Sequence, residues 1–245
     1  LFEQNQYAFN LRKKYDVQFV VINKEEIAKI EPGLEPIYYN GVVLKGESFT
    51  NSPLEITQKI FNNFIKNDGH FIKIKIKSIV QKDNSLFLKY EKKEQQFDKI
   101  VVAAGVWSNM LARTIGDNFP LDTERGYHIV FENNNNLLTH PVGWAKTGFY
   151  MTPMKDGIRV AGTVEIAGLK KPMNKNMLSM IEKTARRILP QLGKVKSEWM
   201  GFRPTLPDSL PVVGESKKCK NVYYAFGHQH LGLSLAAITG KVIQS

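Results

Sequence analysis

The chain has a single cysteine in 245 residues, Cys219, which excludes an internal disulfide and leaves no set of thiolates for a zinc site. One lone thiol fits a reducing, cytoplasmic setting. No apolar run approaches the roughly eighteen residues that a membrane-spanning helix needs. The first residues, LFEQNQYAFNLRKK, contain no methionine and no basic-then-apolar signal layout, so they read as sequence from inside a longer protein. No two glycines stand two apart, which removes the dinucleotide-binding G-x-G-x-x-G. The Gly-Lys-Ser/Thr that ends a P-loop is missing as well.

Charge is plentiful and lopsided, with 34 Lys and Arg against 23 Asp and Glu, a net of +11. Much of the excess lies in IKNDGHFIKIKIKSIVQKDNSLFLKYEKK, where lysine alternates with isoleucine. That period of two predicts a half-buried strand with Lys73, Lys75 and Lys77 on its wet face. Aromatic rings are not interleaved with these lysines, which argues against a nucleic-acid platform. Weak attraction to an anionic membrane surface stays open as a partner.

The rest of the chain mixes helical and strand signals. NSPLEITQKIFNNFIKNDG predicts a helix: Ser52 caps it, Pro53 suits its first position, Glu55 completes a capping box, and Gly69 supplies a left-handed stop. Strands are expected at about Phe71–Val80 and Leu86–Tyr90, and FDKIVVAAG reads as a strand buried on both faces. A short helix, WSNMLARTIG, ends on Gly116, and ENNNNLL is a polar loop. FYMTPMKDGIRVAGTVE reads as a hairpin turning at Asp156-Gly157. NKNMLSMIEKTARRILP is an amphipathic helix stopped by Pro190. This order predicts two interleaved sheet domains in a mixed α+β, α/β chain.

Three motifs could carry chemistry. The strand end in IVVAAGVWSN leaves nothing projecting over Ala104 and Gly105, which suits either a flat ligand or close helix packing. In GFRPTLPDSLPVVG, Arg203 stands on a stretch stiffened by Pro204, Pro207 and Pro211. A guanidinium so held suits bidentate binding of a carboxylate, and a structural ion pair with Asp208 or Glu215 is the competing reading. GHQHLGLSLAAITG follows a strand and opens an apolar helix. His228 and His230 find no partners at metal-ligand spacing among His70, His128 and His140, so no metal is expected. A bare turn before a helix N-terminus instead offers free N–H groups and a positive dipole end.

Together KIVVAAGVWSN, GFRPTLPDSLPVVG and VYYAFGHQHLGLSLAAITG resemble the FAD-dependent amino-acid oxidoreductases of the D-amino acid oxidase superfamily. The likeness is nearest to the D-amino acid dehydrogenase small subunit and to glycine and sarcosine oxidases. PLDTERGYHIVF and GFYMTPMKDGIRVAGTVE resemble that family's substrate-domain strands. The resemblance implies an FAD-binding domain, incomplete without G-x-G-x-x-G, interleaved with an antiparallel-sheet substrate domain. Residues 1–45 and 118–200 would belong to the substrate domain, and 46–117 and 201–245 to the FAD domain.

Site roles follow from the same resemblance. Arg203 matches the arginine that pairs with the substrate carboxylate, and Tyr150 a substrate-side tyrosine. Tyr127 and His128 would border the pocket. Ala104, Gly105 and Trp107 would lie beside the cofactor, with Gly227, His228, His230, Leu231, Gly232 and Leu233 running past the flavin ring. The implied reaction is oxidative deamination of a D-amino acid or small secondary amino acid to a 2-oxo acid. FAD would not be retained by this chain alone, and electrons would pass to a quinone or oxygen. A non-catalytic basic module built on the same fold, or a glycine-, sarcosine- or hydroxyproline-type amine oxidase, is the alternative. The implied location is cytoplasmic, or peripheral to the inner membrane.

Overall fold

A computed structural model of the chain describes residues 6–132 and 137–245. In chain order the elements are α1 (Gln6–Lys14), β1 (Phe19–Asn23), α2 (Lys24–Ile30), β2 (Asn40–Leu44), α3 (Pro53–Lys66), β3 (Ser78–Lys82) and β4 (Ser85–Tyr90). Then come β5 (Lys93–Phe97), β6 (Ile100–Val102), α4 (Ser108–Ala112), β7 (Asp122–Phe131), β8 (Val142–Trp144) and β9 (Phe149–Met154). The last are β10 (Gly157–Ala161), α5 (Lys175–Ile188), β11 (Val195–Thr205), β12 (Val212–Glu215), β13 (Val222–Phe226) and α6 (Gly232–Gln244). Helix and sheet are mixed throughout, and antiparallel pairing dominates.

The chain divides into two compact units. The first comprises Leu1–Glu55, Tyr127–Thr163 and Met173–Met200, and the second Ile56–Gly126, Val164–Pro172 and Gly201–Ser245. Strands β7 and β11 therefore each contribute residues to both units.

The first unit is built on an antiparallel sheet ordered β11-β7-β10-β9-β8, with a separate β1-β2 pair. Side chains alternate across it, as strand geometry requires. Tyr127, Ile129 and Phe131 of β7, Ile158 and Val160 of β10, and Met151 of β9 point into one core. There they meet Leu178, Ile181, Ala185 and Ile188, the apolar stripe of α5, spaced three and four apart as a helix facing a sheet should be. Asn174 caps that helix, accepting from the N–H of Asn176 at 3.1 Å. Glu31, buried below α2, accepts from the N–H groups of Thr139 and His140 and so pins the segment beyond residue 136.

The second unit holds β12-β13-β6, in which β13 runs parallel to β6, and an antiparallel β3-β4-β5 meander. Its core gathers Ile79, Leu86, Ile100, Val102, Val222, Tyr224 and Phe226. Asp117 accepts from the hydroxyls of Ser216 and Tyr224, which anchors both strands of the β12–β13 hairpin. Burial and that bond to Asp117 raise the Tyr224 phenol above its ordinary pKa.

Several local expectations change. Residues 71–77 are not strand, and Ile72 and Ile74 are exposed like Lys73 between them, so alternation there reports no buried face. α3 stops through Asp68, which takes the left-handed conformation (φ 61°), while Gly69 donates to the Phe64 carbonyl at 3.0 Å. A Cβ on Gly69 would lie close to the Phe64 ring, which is 48% exposed. β6 is an edge strand among the described residues, and Val101 is 49% exposed, so β6 is not covered on both faces. The polar loop expected at ENNNNLL centres on residues 133–136, which lie outside the described residues. The β9–β10 turn is Lys155-Asp156, with Gly157 opening β10.

Gly157 has φ 144°, and a Cβ on it would come within 2.1 Å of the Phe131 carbonyl oxygen. Backbone cannot swing aside as a side chain can. Gly157→Ala is therefore expected to destabilise the protein by about 3 kcal/mol or more, combining strain and overpacking. Thermal denaturation should show Tm lowered by about 6–12 °C. An unchanged Tm would mean that β7 and β10 do not approach so closely.

Candidate functional site

In the second unit, the functional side chains are set by two edges of backbone. β11 is an edge strand among the described residues, which tolerates Pro204 because that position need not donate to a ladder. Its Arg203 guanidinium lies over Gly126 of β7: a Cβ on Gly126 would stand 2.4 Å from Arg203 Cζ. Sequence reading passed over Gly126, although a glycine inside the strand ERGYHIVF is the usual sign of a close approach. Burial lowers the Arg203 pKa from its ordinary value, and Glu124 works in the opposite direction. The guanidinium nonetheless stays charged in any physiological range. Asp208 and Glu215, its expected rivals for an ion pair, accept instead from the N–H groups of Leu210 and Asn221.

The turn after β13 meets the same strand. Gly227 is left-handed at φ 85°, and a Cβ there would press to 2.3 Å of Leu206 Cδ1. Gln229, also left-handed at φ 50°, donates its N–H to the Pro204 carbonyl at 3.1 Å. This one bond ties the bare turn to the residue beside Arg203. α6 begins at Gly232 with Leu231 at its N-cap, and no side chain caps it. Helix N-termini usually recruit Ser, Thr, Asp or Asn for that purpose. Here the first-turn N–H groups are left for another acceptor.

His228 does not face that position. Its Nε2 lies 2.9 Å from Thr239 Oγ1, so the ring turns back onto α6, and burial lowers its pKa. His230 and Leu233 are exposed. Among the described residues no group of three or more His, Cys, Asp or Glu could hold a metal. At the end of β6, Ala104 and Gly105 open a single 3₁₀ turn. Gly105 has φ 56°, and a Cβ on it would meet nothing within 4 Å. Trp107 closes the turn and packs edge-on against Phe202, with centroids 6.0 Å apart.

A second arginine of this unit is structural. Arg125 is 0% exposed and binds Glu165 at 3.2 Å and the carbonyls of Pro172 and Lys171. Its guanidinium also lies 5.6 Å from the centre of the Phe202 ring. Arg125 and Glu165 exchange backbone hydrogen bonds as an isolated bridge. None of this was visible in the sequence, because forty residues separate the two partners.

In the first unit the sheet separates the remaining candidates. Tyr127 is 1% exposed, sits among the core side chains, and accepts from the N–H of Asn174 at 3.2 Å. It faces the core and not a pocket, because odd-numbered positions of β7 point to α5. His128, one residue on, points the other way and stacks on Trp199 with centroids 4.8 Å apart. Directly across the sheet, His128 opposes Ala161, Ala161 opposes Tyr150, and Tyr150 opposes Gly143. The Tyr150 ring, 62% exposed, lies over Gly143, where a Cβ would stand 3.0 Å from Tyr150 Cε1.

Burial pushes the His128 imidazole down to about 4, with the charge of Arg159 adding to the effect and Asp156 opposing it. Above about pH 6.5 the ring is neutral in folded and unfolded chains alike. Between about 6.5 and 4 the unfolded chain takes up a proton that folded His128 refuses, so this residue lowers stability as the pH falls through that window. His128→Phe keeps an aromatic ring on Trp199 and removes the titration. Urea midpoints are expected to fall more between pH 7 and pH 5 in the parent than in the variant. Equal losses would show that His128 protonates normally in the fold.

Comparison with known proteins identifies the family. The description "FAD dependent oxidoreductase", the DAO family, matches residues 2–245. A D-amino-acid oxidase of Bradyrhizobium diazoefficiens is 32% identical over 246 residues, covering 98% of this chain and 58% of the relative. A D-amino acid dehydrogenase of Vibrio vulnificus is 28% identical over 234 residues, covering 89% of this chain and 54% of the relative. The chain thus spans little more than half the length of these two relatives. The crystal structure of glycine oxidase from Geobacillus kaustophilus shares the fold, with a TM-score of 0.89 at 18% identity over 99% of this chain and 66% of that one. The chain belongs to the DAO family of FAD-dependent oxidoreductases.

Proposed function

We infer that the protein carrying this chain oxidatively deaminates an amino acid, with Arg203 holding the substrate carboxylate. The observation that carries this reading is the placement of Arg203 over Gly126, on a strand tied through Pro204 and Gln229 to the uncapped start of α6. A charged donor fork and an uncapped helix N-terminus within one unit suit a carboxylate ligand and an electron-rich ring edge.

The residues present fit part of FAD. The N–H groups at the start of α6 suit the polar edge of a flat ring, since no side chain of this protein occupies them as a cap. Ala104 and Gly105 add a surface free of projecting side chains. A cradle for the pyrophosphate is not among these 245 residues, which contain no G-x-G-x-x-G. When bound, FAD supplies the acceptor for a hydride from the substrate Cα. The chain's own work is to orient the amino acid: a fixed carboxylate presents Cα–H in one direction, and orientation supplies much of such a rate. The resulting imino acid takes up water and releases ammonia and a 2-oxo acid. Tyr150 and His128 serve on the substrate side, His128 as a neutral imidazole. Tyr127 supports them from the core.

The relatives named D-amino-acid oxidase and D-amino acid dehydrogenase support a D-amino acid as substrate. A glycine- or sarcosine-type amine is the second reading, favoured by the glycine oxidase of Pseudomonas putida, 33% identical over 57% of this chain. We assign unit two to cofactor binding and, through Arg203, to the substrate carboxylate, and unit one to the substrate domain, with oxygen or a quinone as final acceptor. No described helix is long and apolar enough to cross a membrane.

Two variants test the role of Arg203 in the FAD-loaded enzyme. A charged hydrogen-bonded pair contributes about 1.5–3 kcal/mol, so Arg203→Ala should raise KM about 10- to 150-fold across D-alanine, D-methionine and glycine. Gly126→Ala is the sharper probe. Its Cβ meets the far end of a flexible side chain, which can move at little cost in stability. Tm should hardly change while KM rises with Arg203 displaced. Unaltered KM in both variants would remove Arg203 from substrate binding, and bleaching of the flavin by none of these compounds would reject the amino-acid reading.

A further inference from the structure

The first unit holds a cavity of about 240 Å³ between the last turns of α5 and the turn that joins β8 to β9. Every residue around it belongs to that unit. Trp144 forms one wall and packs against the core of the unit. Its carbonyl accepts from the N–H groups of Thr147 and Gly148 at 3.1 and 3.0 Å. Lys146 is thereby carried on a turn fixed by backbone bonds, and it shares the cavity with Lys183 and Arg187 of α5.

Three cations therefore line one cavity, and among the described residues no carboxylate stands within ion-pair distance of any of them. The acids of neighbouring segments are engaged elsewhere. Glu182 pairs with Arg186 at 2.9 Å, and Glu31 accepts from the N–H groups of Thr139 and His140. Glu35 donates its N–H to the Ile188 carbonyl, yet its carboxylate also stays beyond ion-pair distance of the three. Arg186 makes the contrast with Arg187, since it bonds Glu182 and the carbonyls of Leu192 and Gly193. Lys183 and Arg187 stand four apart on one face of α5, where like charges repel. A helix C-terminus favours cations, which explains part of this. It does not explain Lys146, which comes from another element, and the carbonyls of Ala185 and Ile188 already accept from Leu189 and Glu35. The hydroxyls of Thr147 and Thr184 complete the polar lining. A guanidinium fork, two ammonium groups and hydroxyl donors match the double charge and three acceptor oxygens of a phosphate monoester better than the single charge of a carboxylate. The volume lies below the roughly 300–1,000 Å³ of pockets for drug-sized ligands, so the guest is small.

We propose that this cavity binds a phosphate dianion, free or as the head of a small phosphate monoester. The assignment does not rest on the amino-acid reading given above, because the cavity lies in unit one and uses neither Arg203 nor the start of α6. A bound dianion bridges Lys183 and Arg187 to Lys146 and so ties α5 to the β8–β9 turn. It replaces repulsion among three cations with attraction, and it stabilises the folded chain in proportion to its occupancy.

The test is titration calorimetry of the FAD-loaded enzyme in phosphate-free buffer, with inorganic phosphate, methyl phosphate and acetate as probes. FAD is present so that its own phosphates occupy whatever site they require. Both phosphates should bind saturably and more tightly than acetate. The double substitution Lys183→Gln, Arg187→Gln removes two partly exposed ion pairs and should weaken phosphate binding about 3- to 30-fold. The control Lys66→Gln, Lys92→Gln removes the same charge from the second unit and should change it less than about twofold, because salt screens distant charges. Saturating phosphate should also raise Tm in the parent and less so in the first double variant. Equal losses in the two double variants would reduce the effect to net charge and overturn the proposal. Absence of saturation in the parent, or acetate bound as tightly as phosphate, would overturn it as well. So would phosphate binding that is lost in Arg203→Ala and kept without Lys183 and Arg187. Vesicles of phosphatidic acid and of phosphatidylcholine distinguish the sources of the phosphate. Co-sedimentation with the former alone, lost in the first double variant, identifies a lipid headgroup, and saturable methyl phosphate binding without co-sedimentation identifies a soluble ligand.

Discussion

The assignment of side chains to core or chemistry turns on the alternation of one strand, β7. Its odd positions send Tyr127, Ile129 and Phe131 into the core beneath α5, and its even positions leave Gly126 and His128 on the other side. A slip of one residue would bury His128 and expose three large apolar side chains. The cost of that exchange, several side chains at about 1.5–3 kcal/mol each, is far above any single polar contact in the sheet. Register is therefore set by the core, and the opposite face inherits it.

The two arginines of β7 and β11 show how the same residue type serves different ends. Arg125 is wholly buried, and such a charge needs partners, which Glu165 and two carbonyls provide at its two terminal nitrogens. That arrangement specifies how the segment holding Glu165 returns to β7. Arg203 is part-exposed and rests where a glycine makes room for it. The two therefore differ both in burial and in the partners that surround them.

Much of the organisation was legible in the sequence because it is local. The stripe Leu178, Ile181, Ala185, Ile188 predicts α5 and its inward face, and the helix ends at Ile188 as Pro190 requires. The bare turn at Gly227 and the rigid exit after Arg203 were likewise readable, since Gly and Pro declare backbone geometry directly. The failures were of two kinds. Lys-Ile alternation over residues 71–77 looked like a strand, but a period of two needs a pairing partner, and the described residues offer none there. Sequence pattern points to Gly69 as the helix stop, because glycine is the commoner left-handed residue, whereas Asp68 takes that conformation.

By itself, then, the amino-acid sequence determined the helices marked by caps and periodicity, the family and the two residues most plainly marked by their neighbours, Arg203 and Gly227. Those are consequences of propensity, capping and backbone restriction, which act over a few residues. Only the tertiary structure decided that Tyr127 is core and His128 is not, that Gly126 lies under Arg203, and that Arg125 rather than Arg159 has a carboxylate partner. Each of these depends on which strand lies beside which, and strand order is set by contacts between residues tens of positions apart, where local pattern carries no information.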